Sequence, residues 1–161
     1  MENRVERLIM IYTPLTKKAT LIAFEAHAGQ VGKDGLPCIC HALHVAERMD
    51  DEVSTCAALL HDVVEDTDMT LGDLRSKGMP DEVCRVVSLL THERYQPYAD
   101  YVRAIASDET ARKVKLADIA HNMDESRIDP EVMADDLEGV LRRRKKYAKA
   151  YGILIGHGID D

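Results

Sequence analysis

Aromatic residues are scarce in this chain: among 161 residues there is one Phe and no Trp, and aromatics make up 4%. A core with so few rings must be built from Leu, Val, Ile, Ala and Met. That mix suits helices better than sheets, which favour β-branched and aromatic side chains. Cysteine is sparse too: Cys38 and Cys40 are spaced C-x-C, Cys56 and Cys84 stand alone, and no C-x-x-C pairs mark a zinc knuckle. A chain of this size needs no disulfide staples, so the thiols are expected to be reduced and mostly buried, with Cys38-Ile39-Cys40 in the core. Long apolar runs are missing. The stretch Leu8 to Tyr12 is too short for a signal segment and far too short to span a bilayer, which leads us to expect no membrane association and a cytoplasmic location. Basic charge is also in deficit, with a formal net charge of −8. That argues against a nucleic-acid polymer as partner, since polymer binding needs a broad basic surface. A small polyanion remains possible, held by a metal ion and a few local cations.

What is present is a succession of helical patterns separated by short punctuated turns. Ala19, Ile22, Ala23 and Ala26 recur at helical spacing up to Gly29, and Gln30 to Pro37, with Gly32 and Gly35, reads as a loop. Ala42, Val45, Ala46 and Met49 mark a second helix. Cys56, Leu59, Leu60, Val63 and Val64 mark a third, whose apolar stripe is wide enough to be central. Thr70 and Asp73 form a capping box for a short helix ending at Gly78, and Pro80 starts another with Val83, Val86, Val87 and Leu90 inward. Ser107-Asp108-Glu109 opens a helix that carries Leu116, Ile119, Ala120 and Met123 on its core face. After Pro130 a last long helix is expected through Arg142 to Ile155. No segment alternates with period two, no repeat or linker divides the chain, and the expectation is a single all-α domain over residues 1–161. Its motif-bearing part is about 16–128 and its C-terminal helices about 130–156. The size suffices to bury roughly two-thirds of the unfolded surface.

The third helical pattern ends in His61-Asp62-Val63-Val64-Glu65-Asp66. Residues four apart share a helix face, so a continuous helix would stack His61 over Glu65 and Asp62 over Asp66. Three carboxylates and an imidazole on one turn, just past the apolar run Cys56 to Leu60, need a compensating cation. A solvated acidic helix end is the plainer reading of any charge run. Two further residues favour a metal: His41 one helix earlier, and Asp118, set among apolar neighbours and sharing a face with Asn122. Imidazole and carboxylate together suit Mn, Fe, Ni, Co or Zn.

The order H…HD…D resembles that of the HD-domain phosphohydrolases, and within them the hydrolase domain of the RelA/SpoT-type alarmone enzymes and their small single-domain relatives. Four stretches carry the likeness: Ala26-His27-Ala28-Gly29-Gln30, Lys33-Asp34-Gly35-Leu36-Pro37, Ala57 to Thr67, and Lys115 to Met123. The resemblance implies a helical bundle with a buried metal site, His41, His61, Asp62 and Asp118 as ligands, and Mn²⁺ as the ion. It implies that Glu65 and Asp66 handle the attacking water, that Lys33 touches a phosphate or the base, and that Asn122 bonds substrate. The implied reaction is removal of the 3′-pyrophosphate from guanosine tetra- or pentaphosphate (ppGpp or pppGpp), giving GDP or GTP and pyrophosphate. A chain of this length has no room for the synthetase domain of the bifunctional relatives. Small relatives show a similar Arg-x-x-x-Tyr in their last helices, here Arg143 and Tyr147. His27, His44 and His121 are candidates for orienting the ligands, and the run Arg142 to Lys146 otherwise reads as a solvated face.

Two other functions compete: an HD-type phosphatase acting on a different nucleotide or dinucleotide cofactor, and a non-catalytic sensor that binds a nucleotide. The intact ligand set with Glu65 and Asp66 argues against the sensor. Nothing in the sequence sets the oligomeric state. The family's usual pattern is departed from at Gly32 (Arg in relatives), Cys38 (an aromatic), Ala42 (Pro) and the acidic turn Met123-Asp124-Glu125. An Arg at position 32 could lie against a purine for roughly 0.5–2 kcal/mol. Gly32→Arg is therefore expected to lower KM for a guanosine substrate, unless Gly32 occupies a φ > 0 conformation that a side chain would strain.

Overall fold

A computed structural model describes residues 9–156. Helix α1 (Pro14–Ala26) begins at a capping box in which Thr13 and Thr16 exchange side-chain and backbone hydrogen bonds, with Pro14 in the first turn. After a loop come α2 (Ile39–Ala46), α3 (Glu52–Leu60), α4 (Val63–Asp66), α5 (Leu71–Ser76), α6 (Asp81–Leu90), α7 (Tyr98–Ala106) and α8 (Glu109–Met123). A 3₁₀ turn (Glu125–Arg127), α9 (Pro130–Asp135) and α10 (Leu137–Leu154) complete the order. Among the described residues the only β pairing is one isolated bridge, Val31 to Pro37, which closes the loop between α1 and α2. No helix there is long and apolar enough to cross a membrane.

Helix α3 is the centre. Every residue from Ser54 to Leu60 is buried, and α1, α2, α6 and α8 pack around it. The wide stripe legible in the sequence is thus a helix enclosed on all sides. Ser54 and Thr55 are tolerated there because their hydroxyls donate to Asp51, at the α3 N-cap. Tyr101, buried on α7, donates its hydroxyl to the Leu90 carbonyl at 2.5 Å and so ties α7 to the end of α6.

The structure corrects three expectations. The third helix is not continuous: it stops at Leu60 and resumes as α4, with His61 and Asp62 between. The cause is local. In an unbroken helix the Ala58 carbonyl would accept from the Asp62 N–H, but the His61 ring takes that carbonyl at 2.7 Å. The last helix is broken too, at Asp136, whose carboxylate accepts from the Gly139 N–H at 3.1 Å and caps α10. A Cβ on Gly139 would lie 2.2 Å from that carboxylate, so glycine is what permits the cap. Finally, only Cys56 and Cys84 are buried; Cys40 is exposed and Cys38 half-buried. Cys38 is the α2 N-cap, and the core contact of that turn is made by Ile39.

Leu59→Ala empties the middle of this packing. It should lower unfolding free energy by about 2–5 kcal/mol, measured by urea denaturation; a loss below about 1 kcal/mol would mean that α3 is not the packing centre.

Candidate metal centre and active site

His41 comes from α2, His61 and Asp62 from the break between α3 and α4, and Asp118 from the middle of α8. Because α2, α4 and α8 all approach the polar end of α3, the four side chains meet. His41 Nε2 lies 3.3 Å from His61 Nε2, 3.1 Å from Asp118 Oδ1 and 3.8 Å from Asp62 Oδ2. His61 Nε2 lies 3.2 Å from Asp62 Oδ2 and 3.7 Å from Asp118 Oδ1. Ligands bound at right angles to one ion, with bonds of about 2.1 Å, stand about 3 Å apart, so this spacing fits a shared divalent cation.

Both imidazoles are prepared for that task. The Nδ1–H of His61 donates to Ala58 O, which leaves Nε2 as the donor atom. His41 Nδ1 lies 2.6 Å from His121 Nδ1. Burial, and then the nearby His41 and Arg127, push His121 down to about 4, so it is neutral and accepts the His41 proton. With Nδ1 turned to His121, His41 directs Nε2 into the cluster. Burial alone would depress His61, yet the Asp62 charge and the bonds to Asp118 and Asp62 hold it well above the ordinary imidazole range. The cluster attracts positive charge, and a metal ion meets that demand by replacing the proton.

Asp118 is held from both sides along α8. Lys115 Nζ lies 2.7 Å from its Oδ2, and the Asn122 amide donates to its Oδ1 at 2.6 Å. Although the carboxylate is buried, the Lys115 ammonium, then the bonds from His41 and His61, keep it well below the usual range. Asn122, expected as a substrate contact, thus also fixes a ligand.

The cluster opens into a cavity of about 350 Å³. Glu65, Asp66, Lys33, Arg143 and Tyr147, all singled out in the sequence, line it. Glu65 is fixed by the backbone N–H of His92, which donates to Oε2 at 2.8 Å. Burial, then the carboxylates of Asp62 and Glu65, raise Asp66 above its ordinary value. Arg143 Nη1 bonds Asp136 at 3.0 Å, at the α10 cap. Of the three further histidines, His121 touches His41, and His44 stacks on His121 with centroids 4.1 Å apart. His27 pairs with Gln30 at 2.8 Å, and Gln30 donates to the Asp66 carbonyl at 3.0 Å.

Sequence reasoning missed several wall residues. His92 acts through its backbone, which no pattern reveals. Arg127 bonds Asp34 and the His121 carbonyl, joining the 3₁₀ turn to the loop across 93 residues of sequence. Lys115 could have been found, since three residues from Asp118 is a helical neighbour. Gly32 is not held at positive φ, and a Cβ there would lie 2.9 Å from Asp34 Oδ1, so a side chain could enter only by moving that carboxylate. That oxygen accepts from the Leu36 N–H, and the other bonds Arg127.

A protein-family model described as HD domain matches residues 19–134. The chain belongs to the HD-domain family. HD domains bind divalent metals, and this one carries the His/Asp cluster. It is 32% identical over 138 residues to the bifunctional (p)ppGpp synthase/hydrolase SpoT of Escherichia coli K12, covering 74% of this chain and 20% of that protein. To the guanosine-3′,5′-bis(diphosphate) 3′-pyrophosphohydrolase of Aquifex aeolicus it is 30% identical, covering 76% and 20%. It thus spans a small part of the curated relatives it matches. In fold it is similar to a solved metazoan ortholog of SpoT described as hydrolysing ppGpp, with a TM-score of 0.63, 21% identity, and 92% and 94% of the two chains covered.

Only the folded HD domain gathers all four donors, so a divalent ion added to chelator-treated protein should raise Tm, by about 2.7 kcal/mol of stabilisation at a hundredfold excess over Kd. His61→Ala should lose most of that shift while keeping its helical circular dichroism. An undiminished shift in the variant would place the ion elsewhere.

Proposed function

We propose that this HD domain is a metal-dependent pyrophosphohydrolase that removes the 3′-diphosphate of guanosine tetra- or pentaphosphate, releasing GDP or GTP and pyrophosphate. The observation that carries the reading is the meeting of four ligand-type donors with two further carboxylates, Glu65 and Asp66, in a cavity whose other walls bear Lys33, Arg127, Arg143 and Lys146. Acid on one part of the wall handles a cation and a water proton; base on the rest balances phosphate charge. The likeness to relatives named for this activity supports the substrate.

His41, His61, Asp62 and Asp118 would hold the ion, and their mixed nitrogen and oxygen donors are compatible with Mn²⁺. When bound, the ion supplies Lewis-acid polarisation of water and phosphoryl oxygen. The chain's residues do the rest. Glu65, fixed by His92 N–H, and Asp66, one residue on, orient the water and take its proton. Water oxygen adds to the phosphorus next to the ribose, the bond from phosphorus to O3′ breaks, and O3′ leaves with the electron pair and is protonated. The added oxygen remains on the released pyrophosphate. Arg143, Lys33 and Tyr147 are suited to the remaining phosphates and the nucleoside. The site is that of a soluble-nucleotide enzyme, and we place its work in the cytoplasm.

Incubation with Mn²⁺ and a nucleotide panel tests the reading directly. Intact pyrophosphate should appear from the guanosine 3′-diphosphate substrates, whereas orthophosphate from another nucleotide would favour the general HD phosphatase. Glu65→Gln should keep metal binding and slow turnover by roughly 10²–10⁴-fold, the span of a lost acid–base group. A change of less than a few-fold would leave Glu65 as a surface carboxylate and pass its role to Asp66.

Gly32→Arg bears on the base. Because a side chain there must displace Asp34 from Leu36 and Arg127, KM for the guanosine substrate should stay the same or rise. A markedly lower KM would mean that the loop yields and the new guanidinium reaches the purine.

A further inference from the structure

Tyr98 takes no part in the chemistry above, and Lys146 enters it only as one of the wall's cations. Tyr98, at the start of α7, lines the cavity, and its hydroxyl is shielded from solvent without a hydrogen-bond partner. Its neighbour Tyr101 differs, since its hydroxyl bonds Leu90 O. Buried hydroxyls are rarely left unpaired, because the water they give up is not replaced. Lys146 stands over this tyrosine, its Nζ 4.4 Å from the Tyr98 ring centroid and 5.9 Å from that of Tyr147.

Lys146 also differs from the cavity's other cations. Lys115 is held by Asp118, Arg127 by Asp34 and Arg143 by Asp136. Among the described residues no carboxylate makes an ion pair with Lys146, and Lys33 is alike in this. Burial and the nearby Lys115 ammonium push the Lys146 pKa down. An unpartnered hydroxyl and an unpaired ammonium therefore sit together, and an anion with several acceptor oxygens would satisfy both.

From this we infer that Tyr98 and Lys146 form a phosphate subsite, and that it takes the terminal phosphate of the diphosphate transferred to water. That a phosphate binds there follows from the two side chains; which phosphate it is rests on the proposed reaction. The charged groups around both residues are Lys115, Asp118 and Glu65, those of the reacting end. Arg143 is instead turned to Asp136 at the start of α10, where Lys33 also acts. In phosphoryl transfer, charge spreads over the oxygens of the transferred group, and fixed donors there lower the barrier as well as bind. A lysine supplies a point charge and a tyrosine one directed O–H, which a tetrahedral phosphate can accept together.

Calorimetric titration of the metal-loaded protein with inorganic pyrophosphate, and separately with GDP, tests the inference. Tyr98→Phe retains the ring and the cation–π contact, so the fold should survive, and Lys146→Gln changes a helix residue outside the hydrophobic core. Each should weaken pyrophosphate binding roughly 10-fold or more, as expected for a lost charge-assisted hydrogen bond, and leave GDP affinity within about two-fold. Unchanged pyrophosphate affinity in both variants overturns the subsite. Equal losses for pyrophosphate and GDP overturn its assignment to the transferred group. If the wild-type protein fails to hydrolyse guanosine tetraphosphate while the variants still lose pyrophosphate affinity, the subsite stands and the proposed reaction falls.

Discussion

Two imidazole nitrogens 3.3 Å apart, ringed by two carboxylates, call for a proton or a metal ion between them, and much of the structure serves to hold that arrangement in place. Three of the four side chains are held by a second contact: His61 through Ala58 O, His41 through His121, and Asp118 through Lys115 and Asn122. The cost appears in the backbone. The His61 ring takes a carbonyl that an unbroken helix would use, and α3 stops there. Enclosure of α3 by four other helices is what makes such an interruption affordable, because packing rather than helix propensity holds the segment.

The same economy of charge extends through the cavity. A protein of net charge −8 is an unpromising host for a polyphosphate, yet the field that matters is local. Arg127 and Arg143 are each tied to an internal aspartate, which fixes their position without making them strong anion sinks. Such ties favour recognition by shape and direction over raw attraction. Glu65, on the same wall, is set by a backbone N–H from the loop after α6. Residues far apart in sequence are thereby brought to one cavity.

What the sequence made legible follows from the range of the forces involved. The α3 stripe, the α5 capping box and the HD cluster are local patterns, readable because neighbours along a helix are neighbours in space. Helix α7 is not marked out in the same way: Tyr98, Tyr101, Val102 and Ile105 are its inward residues, and its apolar face depends on tyrosines that composition treats as ambiguous. The contact of Arg127 with Asp34 and that of His92 N–H with Glu65 cross long stretches of chain and leave no periodic trace. Cys40 was misjudged because a thiol carries an average tendency to be buried, whereas the geometry of α2 turns its core face through Ile39, Ala42 and Val45.

Gly32 shows how a departure from a family pattern should be weighed. Taken alone, a missing arginine suggests a lost contact that mutation could restore. In place, the glycine lies under Asp34, whose carboxylate closes the loop through Leu36 and reaches the 3₁₀ turn through Arg127. Arg127 also bonds the carbonyl of His121, the residue that fixes the His41 tautomer. The loop and the His/Asp cluster are thus two ends of one hydrogen-bonded path. A side chain at position 32 would act first on Asp34 and through it on Arg127. The effect of a change at position 32 therefore belongs to the supported loop as a whole, since no side chain enters it without moving Asp34.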